Sequence, residues 1–196
     1  MIMKGKKLVV PIIALMVSAV ALFGVVYAAT TTVSNNGGVE TPDVYTIDLY
    51  SNEAGTTLQT SAYSLSGYTF YTTKVVGGSL VVKIDPTDAS TIGYVGAKDE
   101  TGNFVASTIT STLDVADGYS GAFAQSGANL VAAIHGTTVT VSAALVDSAT
   151  ENVKAIQISI AVSGTSSLTD ANAAAQEIAD AVDALQFNLS FSAPIA

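Results

Sequence analysis

The sequence has no cysteine, no tryptophan and no arginine, and it has a single histidine in 196 residues. Without cysteine there is no disulfide and no thiolate for zinc or redox chemistry. An exported chain of this kind must hold itself by burial, or by contacts between copies. Charge is scarce as well. Charged residues make up 12% of the chain, where about a quarter is usual. Three of the seven lysines, Lys4, Lys6 and Lys7, stand at the N-terminus, and every acidic residue follows Ala28. Beyond Ala28 the chain therefore carries four Lys against sixteen Asp and Glu, a net charge of −12. A nucleic-acid binder needs a basic footprint, and this balance excludes that class.

What is present begins with "MIMKGKK", a basic opening, followed by an uncharged run over residues 8–28. Val26-Tyr27-Ala28 precedes Ala29 and places small residues at the two positions that signal peptidase reads. This is the pattern of a secretory signal, with cleavage expected after Ala28. The run is long enough to span a bilayer, so a retained anchor is the alternative. Pro11 and Gly24 weaken it as a permanent helix. A pilin-type leader cut near Gly5 fits less well, because the mature chain would then open on two lysines rather than an apolar helix.

From Asp43 onward the hydrophobic period is two. "DVYTIDLY" alternates Val44, Thr46 and Asp48 with Tyr45, Ile47 and Leu49, as a half-buried strand does. "YTFYTTKVV" (68–76) and "SLVVKID" (79–85) flank Gly77-Gly78 at hairpin spacing, and Pro86 stops the second. "TIGYVGA" (91–97) leads into the turn "KDETGN" (98–103), and "FVASTITSTLDV" (104–115) reads as a strand or two. "NLVAAIH" (129–135), "TTVTVSAALVD" (137–147) and "VKAIQISIAVS" (153–163) complete the run of strands. "SLTDANAAAQEIADAVDAL" (167–185) departs from the period. It carries Ala174, Ile178, Ala181, Val182 and Leu185 at helical spacing, with Ser167 and Asp170 resembling a capping box. "FNLSFSAPIA" returns to period two, with Phe187, Leu189 and Phe191 expected to face inward. The prediction is a mainly β chain: an antiparallel β-sandwich or jelly roll with one amphipathic helix near the C-terminus.

Few residues point to chemistry. His135, between an apolar strand and Gly136, reads as a turn residue. No metal partners stand near it in sequence, and no nucleophile elbow accompanies it, so no catalytic residue is assigned. The acidic pairs Asp85/Asp88, Asp99/Glu100 and Asp114/Asp117 match no calcium-loop spacing and read as solvated turns. No metal site and no cofactor are expected. Divalent cations would act only by bridging acidic surfaces. Asn188-Leu189-Ser190 is an N-glycosylation sequon on the polar face of the last strand.

The stretch after the cleavage site has its own order. Ala29, Thr30, Thr31, Thr32 and Val33 form a strand-prone tail, and Asn35, Asn36, Gly37 and Gly38 form a flexible hinge before the first strand. Such a tail can pair with an edge of its own domain or of another copy, the latter being donor-strand complementation. A head-to-tail contact that does not close makes a filament. The chain thus divides into a signal peptide (1–28), a donor-strand tail and hinge (29–42) and a sandwich domain (43–196).

The signal ending "VYA", the Thr/Asn/Gly tail and "PDVYTIDLYSN" opening the sandwich resemble the TasA/camelysin family of biofilm-fibre proteins, and more closely the archaeal bundling-pilus and thread subunits of that fold. The resemblance implies a secreted, non-enzymatic jelly-roll subunit of an extracellular filament. Its partner would be itself, in a head-to-tail homopolymer with lateral bundling, and it would meet a membrane only during export. The competing expectations are a membrane-anchored or pilin-like surface protein and a secreted binding module.

Overall fold

A computed structural model describes residues 46–60, 65, 67–74 and 78–192. In chain order the strands are β1 (Thr46–Tyr50), β2 (Thr69–Lys74), β3 (Leu80–Asp85), β4 (Ser90–Lys98), β5 (Thr110–Val115), β6 (Ala124–Ser126), β7 (Asn129–Ile134), β8 (Thr137–Asp147) and β9 (Val153–Gly164). Helix α1 (Ala171–Asp183) follows, and β10 (Phe187–Ser192) is the last element. The protein is mainly β, with every strand pair antiparallel and one helix near the C-terminus.

A curled six-stranded sheet in the order β1-β4-β9-β8-β7-β6 forms one layer. Facing it are two separate two-stranded sheets, β2-β3 and β5-β10. β3 packs against β9, β5 packs against β7 and β8, and α1 lies on β2 and β3. The core between the layers is aliphatic and aromatic. Val95, Leu130, Val139, Val141, Ile156 and Ile158 from the large sheet meet Val82, Leu113, Phe187, Leu189 and Phe191. Alternation decides which residues go in. On β10 Phe187, Leu189 and Phe191 are buried, while Asn188, Ser190 and Ser192 are half-exposed.

Turn chemistry sets the register of the β7-β8-β9 meander. Ile134 pairs with Thr137 across the two-residue loop His135-Gly136, whose φ angles are 46° and 86°. Positive φ at both central residues is the hairpin turn whose twist suits the strands. Histidine tolerates that region better than a β-branched residue does.

Two local expectations are corrected. Of residues 104–115 only β5 is a strand; Phe104 makes a single bridge to Lys98 and turns its ring back over β1. The helix cap is Asp170 alone, whose Oδ1 accepts from the Ala173 N–H at 2.9 Å. Ser167 takes no part in a capping box, because its backbone N–H is committed to the His135 carbonyl at 2.7 Å. On β1, Tyr50 shares the parity of Thr46 and Asp48 yet is 1% exposed, because Phe104 covers that end of the strand, ring centroids 5.5 Å apart. Burial, with Asp48 beside it, raises the pKa of the Tyr50 phenol above its ordinary value.

Candidate functional site

The split in the second layer concentrates attention on β5 and β10. Their register runs Phe187–Val115 through Ser192–Thr110. One step beyond it, the Ala116 N–H donates to the Gln186 carbonyl at 3.0 Å. Hydrogen-bonded and non-hydrogen-bonded pairs alternate in an antiparallel ladder. The ladder bonds therefore fall on Asp114–Asn188, Thr112–Ser190 and Thr110–Ser192. The backbone groups of Phe187, Leu189 and Phe191 point away from β5.

The opposite flank of β5 follows the same parity. The Leu113 carbonyl points away from β10 and accepts a hydrogen bond from Gln125 Nε2 on β6, at 2.8 Å. The same Nε2 donates to the Gly127 carbonyl at 2.8 Å. Gln125 thus ties the rim of the large sheet to β5 and closes that side of the sandwich. β10 lies on the other side of β5. Among the described residues β10 pairs with β5 only, and no hydrogen bond reaches its outward backbone groups. The three residues with outward backbone groups are buried as whole residues, 2–3% exposed. The edge is thus unpaired among the described residues but shielded within the molecule rather than open to solvent.

The two edges of the large sheet differ. Alongside β1, the Gln59 N–H donates to the Leu49 carbonyl at 2.8 Å, and Tyr50 bridges Leu58. At the far rim β6 is only three residues long, each of them exposed. On β3, the Leu80 carbonyl accepts from the Ser166 N–H at 2.7 Å.

The sequence-predicted sites fall as follows. The donor strand Ala29, Thr30, Thr31, Thr32 and Val33, and the hinge Asn35, Asn36, Gly37 and Gly38, lie outside the described residues, as do residues 1–28. Asn188 is half-buried on the outer face of β10, paired with Asp114 of β5. His135 stands in the β7-β8 turn, and its Nε2 meets Glu177 Oε2 on α1, both side chains nearly half exposed. Asp99 organises its turn. Its Oδ1 accepts from the Thr101 N–H (2.9 Å), the Thr101 hydroxyl (2.7 Å) and the Asn103 N–H (2.9 Å). The Thr101 hydroxyl, then the Asn103 N–H, hold the Asp99 carboxyl below its ordinary pKa. That oxygen serves the loop. Among the described residues no cluster of His, Asp or Glu is arranged to hold a metal ion, and no helix is long and apolar enough to cross a membrane.

The β10 edge itself was missed in the sequence. The alternation of Phe187, Leu189 and Phe191 marks a strand there, but the partner on each flank is a long-range property that period alone does not carry. No protein-family model matches the chain, no curated protein matches it, and no solved structure matches its fold.

Proposed function

We propose that the chain is a secreted structural subunit that polymerises head to tail, each copy receiving the N-terminal tail of another beside β10. The observation that carries this reading is the backbone edge of Phe187, Leu189 and Phe191, unpaired among the described residues, in a layer split between β5-β10 and β2-β3. A strand laid along that edge gains main-chain hydrogen bonds worth about 0.5–1.5 kcal/mol each net. It also supplies side chains to the core on one face. Ala29, Thr30, Thr31, Thr32 and Val33 have the composition for it. Asn35, Asn36, Gly37 and Gly38 supply a hinge that lets the tail leave its own domain. The low charge, the absence of cysteine and the Thr/Ser/Ala-rich strands suit a filament held by backbone pairing and burial.

Deletion of residues 29–38 tests the reading. The variant is expected to be exported and folded, to melt lower than the full chain and to form no filaments in electron micrographs. A peptide spanning residues 29–38 is expected to restore the melting temperature without restoring filaments, since it fills the edge but brings no second domain. Normal filaments from the deletion variant would sink the reading.

A further inference from the structure

The outer face of β7, β8 and β9, opposite the core, carries no Asp, Glu or Lys across its central rows. Val131, Thr140 and Ala161 are aligned across the three strands, and Ser142 lies beside Ser159 in the next row. The nearest charged side chains in these strands are Asp147 and Lys154, paired with each other at the far end of the β8-β9 ladder. Residues 118–146 and 155–169 contain no Asp, Glu or Lys. Every acid among the described residues lies outside these stretches, so in a chain of net charge −12 beyond Ala28 the strands of this face stay neutral across its central rows. Among the described elements none packs on that face; β3 and β5 contact these strands from the core side.

We propose that this face is a self-association surface, and that its occupant is the same face of a second copy. Charge selects that partner. Copies with this net charge repel over roughly 8–10 Å at physiological salt, and they approach at least cost where neither carries an ionised group. Short side chains across these rows let a second sheet approach closely, as in sheet-on-sheet contact. Its size is also telling. With ~4.8 Å between strands and ~3.3 Å per residue, the neutral rows cover on the order of 300 Å². A stable dimer buries about 800 Å² per partner. One such contact is too weak to hold a dimer, but repeated once per subunit along two polymers it gains by multivalency. The inference rests on the polymer proposed above, and its role there is lateral: it joins filaments side by side, while β10 joins subunits end to end.

The full-length protein is tested with Ser159→Glu and Thr140→Glu on this face and Thr112→Glu on the exposed outer face of β5, each checked for an unchanged melting temperature. Electron microscopy at fixed magnesium scores filaments and bundles separately. The two face variants are expected to form filaments normally while their bundled fraction falls at least about tenfold, with Thr112→Glu unchanged. In a chain without native cysteine, Ser159→Cys is expected to give disulfide-linked pairs under mild oxidation, and Thr112→Cys none. Bundles that persist in both face variants, or that vanish equally in Thr112→Glu, overturn the proposal. Filaments of the wild type that never associate laterally overturn it and leave the end-to-end reading intact. No filaments, yet Ser159→Cys pairs that Thr140→Glu abolishes, would sink the polymer and keep the face. No filaments and no pairs would sink both.

Discussion

Gly96 on β4 lies directly beneath the ring of Phe104: an ideal Cβ on Gly96 would sit 2.5 Å from the ring's Cε1. The ring also stands edge-on to Tyr50, and the Lys98 ammonium lies 4.6 Å from its centroid. The chain thus covers the buried end of β1 with a side chain delivered from beyond the 99–103 turn. Gly96→Ala is expected to cost about 1–3 kcal/mol by overpacking. Phe104→Leu in the same chain should recover part of that loss, a coupling that a double-mutant cycle reads directly. Unchanged stability of Gly96→Ala in urea would show that the ring is not held there.

The last strand should be structural throughout. Phe191 is 2% exposed and belongs to the same core as Leu113, Val139 and Ile178. Phe191→Ala is expected to destabilise the fold by about 3–5 kcal/mol. Ser190→Ala, on the half-exposed face, should change stability by no more than about 0.5 kcal/mol. Equal effects of the two, measured by denaturant unfolding, would mean that β10 is peripheral.

These two cases show what the sequence discloses and what it hides. Phe187, Leu189 and Phe191 declare their inward face because period two acts over neighbouring residues. The same holds for Ile156, Ile158 and Ile160 on β9, and for Ala174, Ile178 and Val182 at helical spacing on α1. Tyr50 does not declare itself, since its cover comes from a residue far along the chain. β6 is three exposed residues with no pattern to find, and only its pairing with β7 marks it as a strand. The split between β2-β3 and β5-β10 belongs to neither pair's own sequence. β2 and β3 are neighbours in the chain, but β5 and β10 meet only after four further strands and the helix, so the two separate sheets exist only once both pairs pack against the large sheet.

Acid should act on the fold in two opposing ways. Lys154, first by its hydrogen bond and then by its charge, holds the Asp147 carboxyl below its ordinary value of 3.8. Stability from that pair is therefore present above pH 3.8 and lost as the pH falls through the lower folded pKa. Asp183 is the reverse. Partial burial, then the neighbouring Asp180, raises its carboxyl above 3.8. Its contribution is present below pH 3.8 and lost as the pH rises through the folded pKa. Thermal melts of Asp183→Asn should therefore show a gain at pH 7 that disappears at pH 3, whereas Asp147→Asn should show a small loss at pH 7 only. A gain for Asp183→Asn that is the same at both pH values would trace its effect to helix propensity instead.

The edge of β10, unpaired among the described residues, makes a prediction at single-residue resolution. In the β5-β10 ladder the amides of Asn188, Ser190 and Ser192 are bonded to β5, and those of Phe187, Leu189 and Phe191 point the other way. Hydrogen exchange follows hydrogen bonding and local opening, so the two sets should differ although their residues alternate. In the variant lacking residues 29–38, the amides of Asn188 and Ser190 should be protected, while those of Leu189 and Phe191 exchange within the mixing time. In assembled filaments all should be protected, because a strand seated along the edge bonds the outward set and leaves the inward set as it was. A peptide spanning residues 29–38 should confer the same alternate protection on the deletion variant. Val33→Asp in that peptide should reduce it more than Asn35→Asp, since the first change places a charge on the segment that enters and the second falls on the hinge. Protection that appears on assembly along β6 or β1, with Leu189 and Phe191 still exchanging freely, would move the joint between subunits to the large sheet and away from β10.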